Sequence, residues 1–408
     1  MNWEIEKAKN GLFTLKNRGY YLYSKYDPVK EAKAFIEKET DSTKAIYLLI
    51  GLGLGYHLEA LLNKSTSQRI YVYCINRSEE NLFNEYGNSE LLNDERVNIV
   101  TMEQIPSIIS TDKVQVILPL QWMKVMREDH PLFAVLEDIK TRQMSFSASK
   151  VELDRNFHLN IVNGDPSISS WERTSISVGA CLISAGPSLN EGIDLLKKIQ
   201  KDFFVISVGS ALKVLLNEFI IPDAVIITDP SPNVMKQIDG TNYKGPLFYL
   251  STANHQMTQL HHFKRFIIYQ KGFEAAEIYA KNTKAPLLET GGSVATTALS
   301  LLEYMGFQEV YLFGQDLGFR EGKTHAEGST SGVAVSEKSR FRKVKGNNGE
   351  FIYTTPNLQA YHRWFEKKAK QTFINIYNTS FKGAKIKGAP YISEKDLLAK
   401  IQLRNFEM

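Results

Sequence analysis

Apolar residues along the chain fall mostly into short unbroken runs, each followed by a small-residue turn and then by apolar positions three or four apart. Such a run reads as a strand buried on both faces, and the wider spacing as an amphipathic helix packed against it. Helix-like patterning first shows after Asp27-Pro28. From Lys44 the order is strand, Gly-rich turn and helix in KAIYLLIGLGLGYHLEALL. A second strand follows in QRIYVYCIN, a helix from Ser78, and further strands in VNIVT and KVQVILPL. Residues 131–162 read as one long helix, and NGDPSISS after it as a polar linker.

A second series starts near Ser177. Its strands are ACLISA, FFVISVG, AVIITD, PLFYLST, FIIYQ and EVYLFGQD, and the clearest of its helices, SVATTALSLLEYMG, ends on Gly306. The Gly/Ser/basic stretch 318–350 is long for a connector and reads as a mobile functional loop. NLQAYHRWFEKKAKQ and SEKDLLAKIQ read as two short helical segments. Alternating β and α elements of this kind predict parallel sheets covered on both faces. The expected fold is therefore α/β, with two Rossmann-like units and a C-terminal helical region. The boundaries read as 1–165, 166–345 and 346–408.

Composition adds little but excludes some classes. The 408 residues suit two or three domains at about 150 residues each. A formal charge of +4 argues against a dedicated nucleic-acid binder. The basic clusters Lys338, Arg340, Arg342, Lys343 and Lys345, and Lys367, Lys368 and Lys370, read as solvated surface. Cys74 and Cys181 sit in apolar runs, as small buried hydrophobes rather than a disulfide or metal pair. There is no leader-like apolar stretch at the start and no run approaching the roughly 18 apolar residues of a membrane span. The expectation is a cytoplasmic protein without stable membrane insertion.

Candidate chemistry concentrates at the strand ends. In the first unit Gly51, Gly53 and Gly55 resemble the opening of a nucleotide or S-adenosylmethionine site, but Asn76 stands where a ribose-binding acid is needed. Glu79 and Glu80 are displaced onto the next helix, so a packing turn is the plainer reading. The second unit offers five segments. Gly186, Pro187 and Ser188 join a strand to a helix, and Gly209 and Ser210 repeat that logic. Asp229 ends a third strand, Gly291, Gly292 and Ser293 open a helix, and Gly314 and Asp316 end the last strand. Small and polar residues at the carboxyl edge of a parallel sheet suit a nucleotide-type ligand. His325, just beyond Asp316, suits a general base. His57 reads as packing, and His255, His261 and His262 show no metal spacing. No two Asp residues are separated by a single residue. The metal-binding signature of enzymes that use sugar diphosphates is thus missing, and a transferase built here would need a donor that leaves without a metal clamp, such as a nucleoside monophosphate sugar.

SAGPSL, DPSP, GGSVATTAL, GFQEVYLFGQDLGF and KTHAEG, in this order, resemble the central domain of the motility-associated factor (Maf) family of flagellin glycosyltransferases. That domain type is shared with enzymes like hydroxymethylpterin diphosphokinase and is similar to bacterial sialyltransferases that use CMP-sugars. The resemblance covers about 177–330, and the N-terminal Gly-rich unit extends it to most of the chain. It implies transfer of a nonulosonic acid, of pseudaminic or legionaminic type, from its CMP donor to Ser or Thr of flagellin, with no separate cofactor and no metal. Gly186, Pro187 and Ser188 would then meet the CMP phosphate or ribose. Asp229, Gly291, Gly292, Ser293, Gly314 and Asp316 would line the pocket, and His325 would match the sialyltransferase base loosely. Ala185 stands where the sialyltransferases have Asn. Two other readings are a Mg²⁺-dependent diphosphokinase of a pterin-like alcohol, with Asp229 and Asp316 as metal ligands, and a non-catalytic flagellin-binding assembly factor.

Overall fold

The apolar runs build one parallel sheet in each of two units, Met1–Gln143 and Met144–Met408, of a computed structural model that describes residues 3–109, 113–126, 129–172, 179–319, 324–331 and 341–407. The first unit begins with an antiparallel meander, β1 (Glu4–Lys7), β2 (Phe13–Asn17) and β3 (Tyr20–Tyr21), turned on Gly11 and Gly19 at positive φ. Its helix-like opening starts later, at α1 (Pro28–Glu39), where Asp27 accepts the Lys30 N–H at 3.0 Å and Pro28 sets the first turn. There follow β4 (Ile46–Ile50), α2 (Tyr56–Lys64), β5 (Arg69–Tyr73), α3 (Arg77–Tyr86), β6 (Val97–Val100), α4 (Ile105–Ile108), β7 (Val114–Ile117) and α5 (Leu120–Val125). The parallel order is β6-β5-β4-β7, and Leu48, Leu49 and Ile50 of the central β4 are fully buried. The long helix α6 (Phe133–Val162) carries the chain into the second unit.

The second unit contains β8 (Ala180–Ile183), α7 (Leu189–Ile199), β9 (Phe204–Val208), α8 (Gly209–Asn217), β10 (Ala224–Ile227), β11 (Leu247–Leu250), α9 (His255–Leu260), β12 (Arg265–Gln270), α10 (Glu274–Thr283), β13 (Leu287–Leu288), α11 (Val294–Tyr304) and β14 (Glu309–Phe313). The hairpin β15 (Arg342–Lys345) and β16 (Phe351–Thr354), α12 (Pro356–Gln371), β17 (Asn375–Asn378) and α13 (Glu394–Glu407) complete it. Eight strands pair in parallel in the order β13-β12-β11-β10-β9-β8-β14-β17. From β8 the chain winds outward to β13, then returns to lay β14 on the other side of β8. The order therefore reverses between β8 and β14, and a ligand crevice is expected at the carboxyl ends of those two strands.

Three expectations differ from what is seen. NGDPSISS is no linker: Pro166 O accepts the Ile267 N–H at 2.9 Å, Ile168 is buried, and Asp165 takes the Tyr249 hydroxyl at 2.7 Å and pairs with Arg265. Its polar residues are there to satisfy an edge of the sheet. The C-terminal region is helical but also supplies β17, whose short NIYN run is too brief to stand out in the sequence. The 318–350 stretch is fixed by hydrogen bonds over its described residues, through the hairpin and through 324–331, while Lys338 and Arg340 lie outside the described residues. No helix among the described residues is long and apolar enough to cross a membrane.

Candidate functional site

Two Gly-rich turns compete for the role of a ligand cradle, and their surroundings separate them. In the first unit Gly51, Gly53 and Gly55 all have positive φ, and the space above each is filled by this chain's own side chains. A Cβ at Gly51 would enter the Trp122 ring, one at Gly53 would meet the Tyr23 hydroxyl, and one at Gly55 would lie 2.7 Å from Phe83. Glu79, displaced onto α3 in the sequence, folds back into the turn, where its carboxylate accepts the Gly53 N–H at 2.8 Å and the Ile75 N–H at 2.7 Å. It is completely buried, and burial pushes its carboxyl up to about 7 against the pull of those amides. His57 is stacked on Tyr23 and edge-on to Phe35, and burial pushes it down to about 3. This turn packs; a carboxylate already occupies its amides.

In the second unit the strand ends at the switch point stay open, around a cleft of about 220 Å³. Its walls are Ser184–Gly186 after β8, Ser210 at the start of α8, Ser293–Ala295 at the start of α11, and Gly314–Gly318 after β14. Thr324, His325, Leu358 and Tyr361 close one side. Pairing of β8 and β14 continues past the strands, with the Ser184 N–H on Phe313 O and the Gly186 N–H on Gly314 O, both at 2.8 Å. Gly186 has to be Gly here, because a Cβ would strike the Asp316 carboxylate and Gly314 O. Gly314, at φ +63°, faces Ser184 O just as closely.

Asp316 is buried beside that turn, and its Oδ2 accepts the Ser188 N–H at 2.8 Å, where α7 begins. The positive end of α7 is thereby met by a carboxylate of the chain itself. Ser188 turns its hydroxyl to Ser380, 2.7 Å away, rather than into the cleft. Among the expected site residues, Gly186, Ser210, Ser293, Gly314, Asp316 and His325 share the cleft, whereas Pro187, Ser188, Gly209, Asp229, Gly291 and Gly292 stand outside its lining. Gly209 is packed on Ile227, whose Cγ1 would lie 2.7 Å from an added Cβ, and Gly291 lies under Trp364. Asp229 is exposed and caps its own turn by accepting the Ser231 N–H at 2.8 Å. It does not share the cleft with Asp316.

The 324–331 segment is docked over the strand ends. The Ala326 N–H donates to Ala185 O at 2.8 Å, the Glu327 N–H to the Asn190 side chain at 3.0 Å, and the Ser329 hydroxyl to Ser210 O at 3.2 Å. His325 Nδ1 lies 3.0 Å from Thr324 Oγ1, and Nε2 has no protein partner among the described residues. Burial pushes the imidazole below the usual histidine range, so it is neutral near pH 7. The α8 helix has no side-chain cap on its first turn, in contrast to α11, which Ser293 and Thr296 close with a capping box.

Several lining residues had escaped the sequence reading. Gln315 lay unremarked inside the quoted LFGQDLGF, and Ser184 inside ACLISA. Leu358 and Tyr361 come from α12, some forty residues beyond Asp316, and nothing in the local pattern marks them. Among the described residues no group of acidic, His and Cys side chains is placed to hold a metal.

Fold and cleft together define a doubly wound α/β protein with an open switch-point site. Residues 155–322, less than half of the chain, match the model of a family described as 6-hydroxymethylpterin diphosphokinase MptE-like. The fold is similar to that of the Maf glycosyltransferase from Magnetospirillum magneticum AMB-1, with a TM-score of 0.54 at 18% identity, over 100% of this chain and 74% of that one. At that identity the likeness is one of fold. No curated protein matches the chain.

Proposed function

We propose that the chain is a cytoplasmic glycosyltransferase that moves a nonulosonic acid, of pseudaminic or legionaminic type, from its CMP donor to Ser or Thr hydroxyls of flagellin. The observation that carries this reading is the polar cleft at the β8/β14 switch point, on a fold similar to that of a Maf glycosyltransferase. The acceptor hydroxyl attacks the anomeric carbon as the bond to the phosphate oxygen breaks, with inversion and an oxocarbenium-like transition state. The electron pair of that bond leaves with CMP, and the hydroxyl proton passes to His325 Nε2. Developing charge on the phosphate is met by fixed N–H and hydroxyl donors, without a metal or separate cofactor. Asp316 lines the cleft and holds the Gly186–Ser188 turn that walls it.

The test is intact-mass analysis of flagellin co-expressed with this protein in a host that makes the CMP-nonulosonate. A gain of one or more nonulosonic acid masses, lost in His325→Ala and Asp316→Ala, is expected. No gain with several CMP-nonulosonates overturns the reading, and a gain that survives both variants favours a non-catalytic assembly factor acting beside another enzyme. The match to the diphosphokinase family model favours a second reading, transfer of diphosphate from ATP with Mg²⁺ to a pterin-like alcohol. Against it, Asp229 and Asp316 do not share the cleft. Flagellin modification that survives EDTA excludes it.

A further inference from the structure

Across the switch point the cleft holds a polar pair, Ser184 and Gln315. Ser184 follows β8 and Gln315 follows β14, on the two strands where the sheet order reverses. Both line the cleft, and Gln315 is only 6% exposed. The Ser184 hydroxyl donates to Gln315 Oε1 at 2.6 Å. With its oxygen turned to Ser184, the Nε2 amino group is the end left to the cleft, and among the described residues it has no partner. A buried amide keeps two N–H donors unmet only where a ligand or water takes them.

A second feature converges on the same place. Four helices begin around the cleft, and α12 is capped by Thr355, which accepts the Leu358 N–H at 3.3 Å. The start of α7 is met by Asp316, and α11 is closed by its own capping box. The nine-residue α8, entering through Ser210, has no side-chain cap. Its unpaired N–H groups and its dipole favour an anion, and Ser210 Oγ makes no hydrogen bond within the described protein.

We propose that Gln315 Nε2 and the first turn of α8 together hold a phosphoryl oxygen of the bound ligand, with Ser184 the positioning residue that fixes the amide. The inference rests on the CMP-donor reading, in which this oxygen stays on the departing nucleoside monophosphate.

Calorimetric titration of the full chain with CMP and with cytidine tests it. Gln315→Glu sets a carboxylate against the phosphate and is expected to weaken CMP by about 100-fold, with cytidine little changed, as loss of a hydrogen bond to a charged group plus repulsion requires. Gln315→Met, which keeps the shape without the donor, is expected to weaken CMP by about 10-fold. Ser184→Ala alone is expected to give a smaller loss, and the Ser184→Ala/Gln315→Met pair no more than Gln315→Met, because the serine acts through the amide. Wild-type melting temperatures in the two Gln315 variants exclude unfolding as the cause. Wild-type CMP affinity in both Gln315 variants, or equal losses for CMP and cytidine, overturns the assignment and leaves the donor reading standing. Absence of CMP binding to the wild-type chain overturns the donor reading, and this inference with it.

Discussion

Gly186 and Glu79 show how single positions decide the character of each Gly-rich turn. Gly186 is needed because the Asp316 carboxylate and Gly314 O approach where a Cβ would stand. Gly186→Ala must push that carboxylate off the Ser188 N–H. We expect it to destabilise the second unit by about 1–3 kcal/mol, as overpacking does, and to abolish CMP binding, measured by urea unfolding and calorimetry. Glu79 is the counterpart in the first unit, and its removal strands the Gly53 and Ile75 amides in a buried turn. Glu79→Ala is expected to cost on the order of 3 kcal/mol, at about 1–3 kcal/mol for each unsatisfied donor. Addition of nucleotide or S-adenosylmethionine should not restore that stability, since Trp122, Tyr23 and Phe83 fill the turn. Stabilisation by either ligand would refute the packing role.

Among elements, the four helix starts around the cleft matter more than the strands they follow. α7, α11 and α12 have their first turns met by Asp316, by Ser293 with Thr296, and by Thr355, which leaves α8 as the end without a side-chain cap. The 324–331 segment brings His325 to this edge through the Ala326 and Glu327 amides and the Ser329 hydroxyl, and it shields the imidazole from water. Burial lowers the pKa of a base, so His325 stays neutral to a lower pH than an exposed histidine. The acid limb of the kcat/KM profile should fall below pH 6.5, the ordinary histidine value, and activity should persist as pH drops towards that limb. His325→Gln should remove the limb together with most of the rate. A limb that stays in place in His325→Gln would assign the titration to another group.

For the molecule as a whole, each unit has its own apolar core. One is built on the eight-stranded sheet, and the other on the two faces of the four-stranded sheet. A ligand that binds only the second unit should stabilise that unit by mass action, by about 2.7 kcal/mol at a CMP concentration 100 times its Kd. Scanning calorimetry should therefore show CMP raising the transition of the second unit and leaving that of the first in place. Glu79→Ala should do the reverse, lowering the first transition with CMP affinity unchanged. An upward shift of the first transition with CMP would place a nucleotide site there.

The amino-acid pattern alone determined the alternation of strands and helices, and it placed the small and polar residues of the second unit at strand ends. Those are local properties: an apolar run of four or five residues between turn signals suits a buried strand, and Ser293 caps a helix with its own hydroxyl. Asn76, in the place of a ribose-binding acid, already marked the GLGLG turn as a packing one, but which side chains fill it could not be read, because they lie far away in the sequence. Trp122 and Glu79 close the GLGLG turn, while β14 returns beside β8 to open the second. Strand order, too, is set by non-local pairing, and it alone brings Gly314–Gly318 against Ser184–Gly186. So SAGPSL, expected to meet a phosphate, walls the cleft while its Ser188 amide is taken by Asp316. Gln315 and Tyr361, which carry no signal in the chain, face the cleft because tertiary contacts put them there.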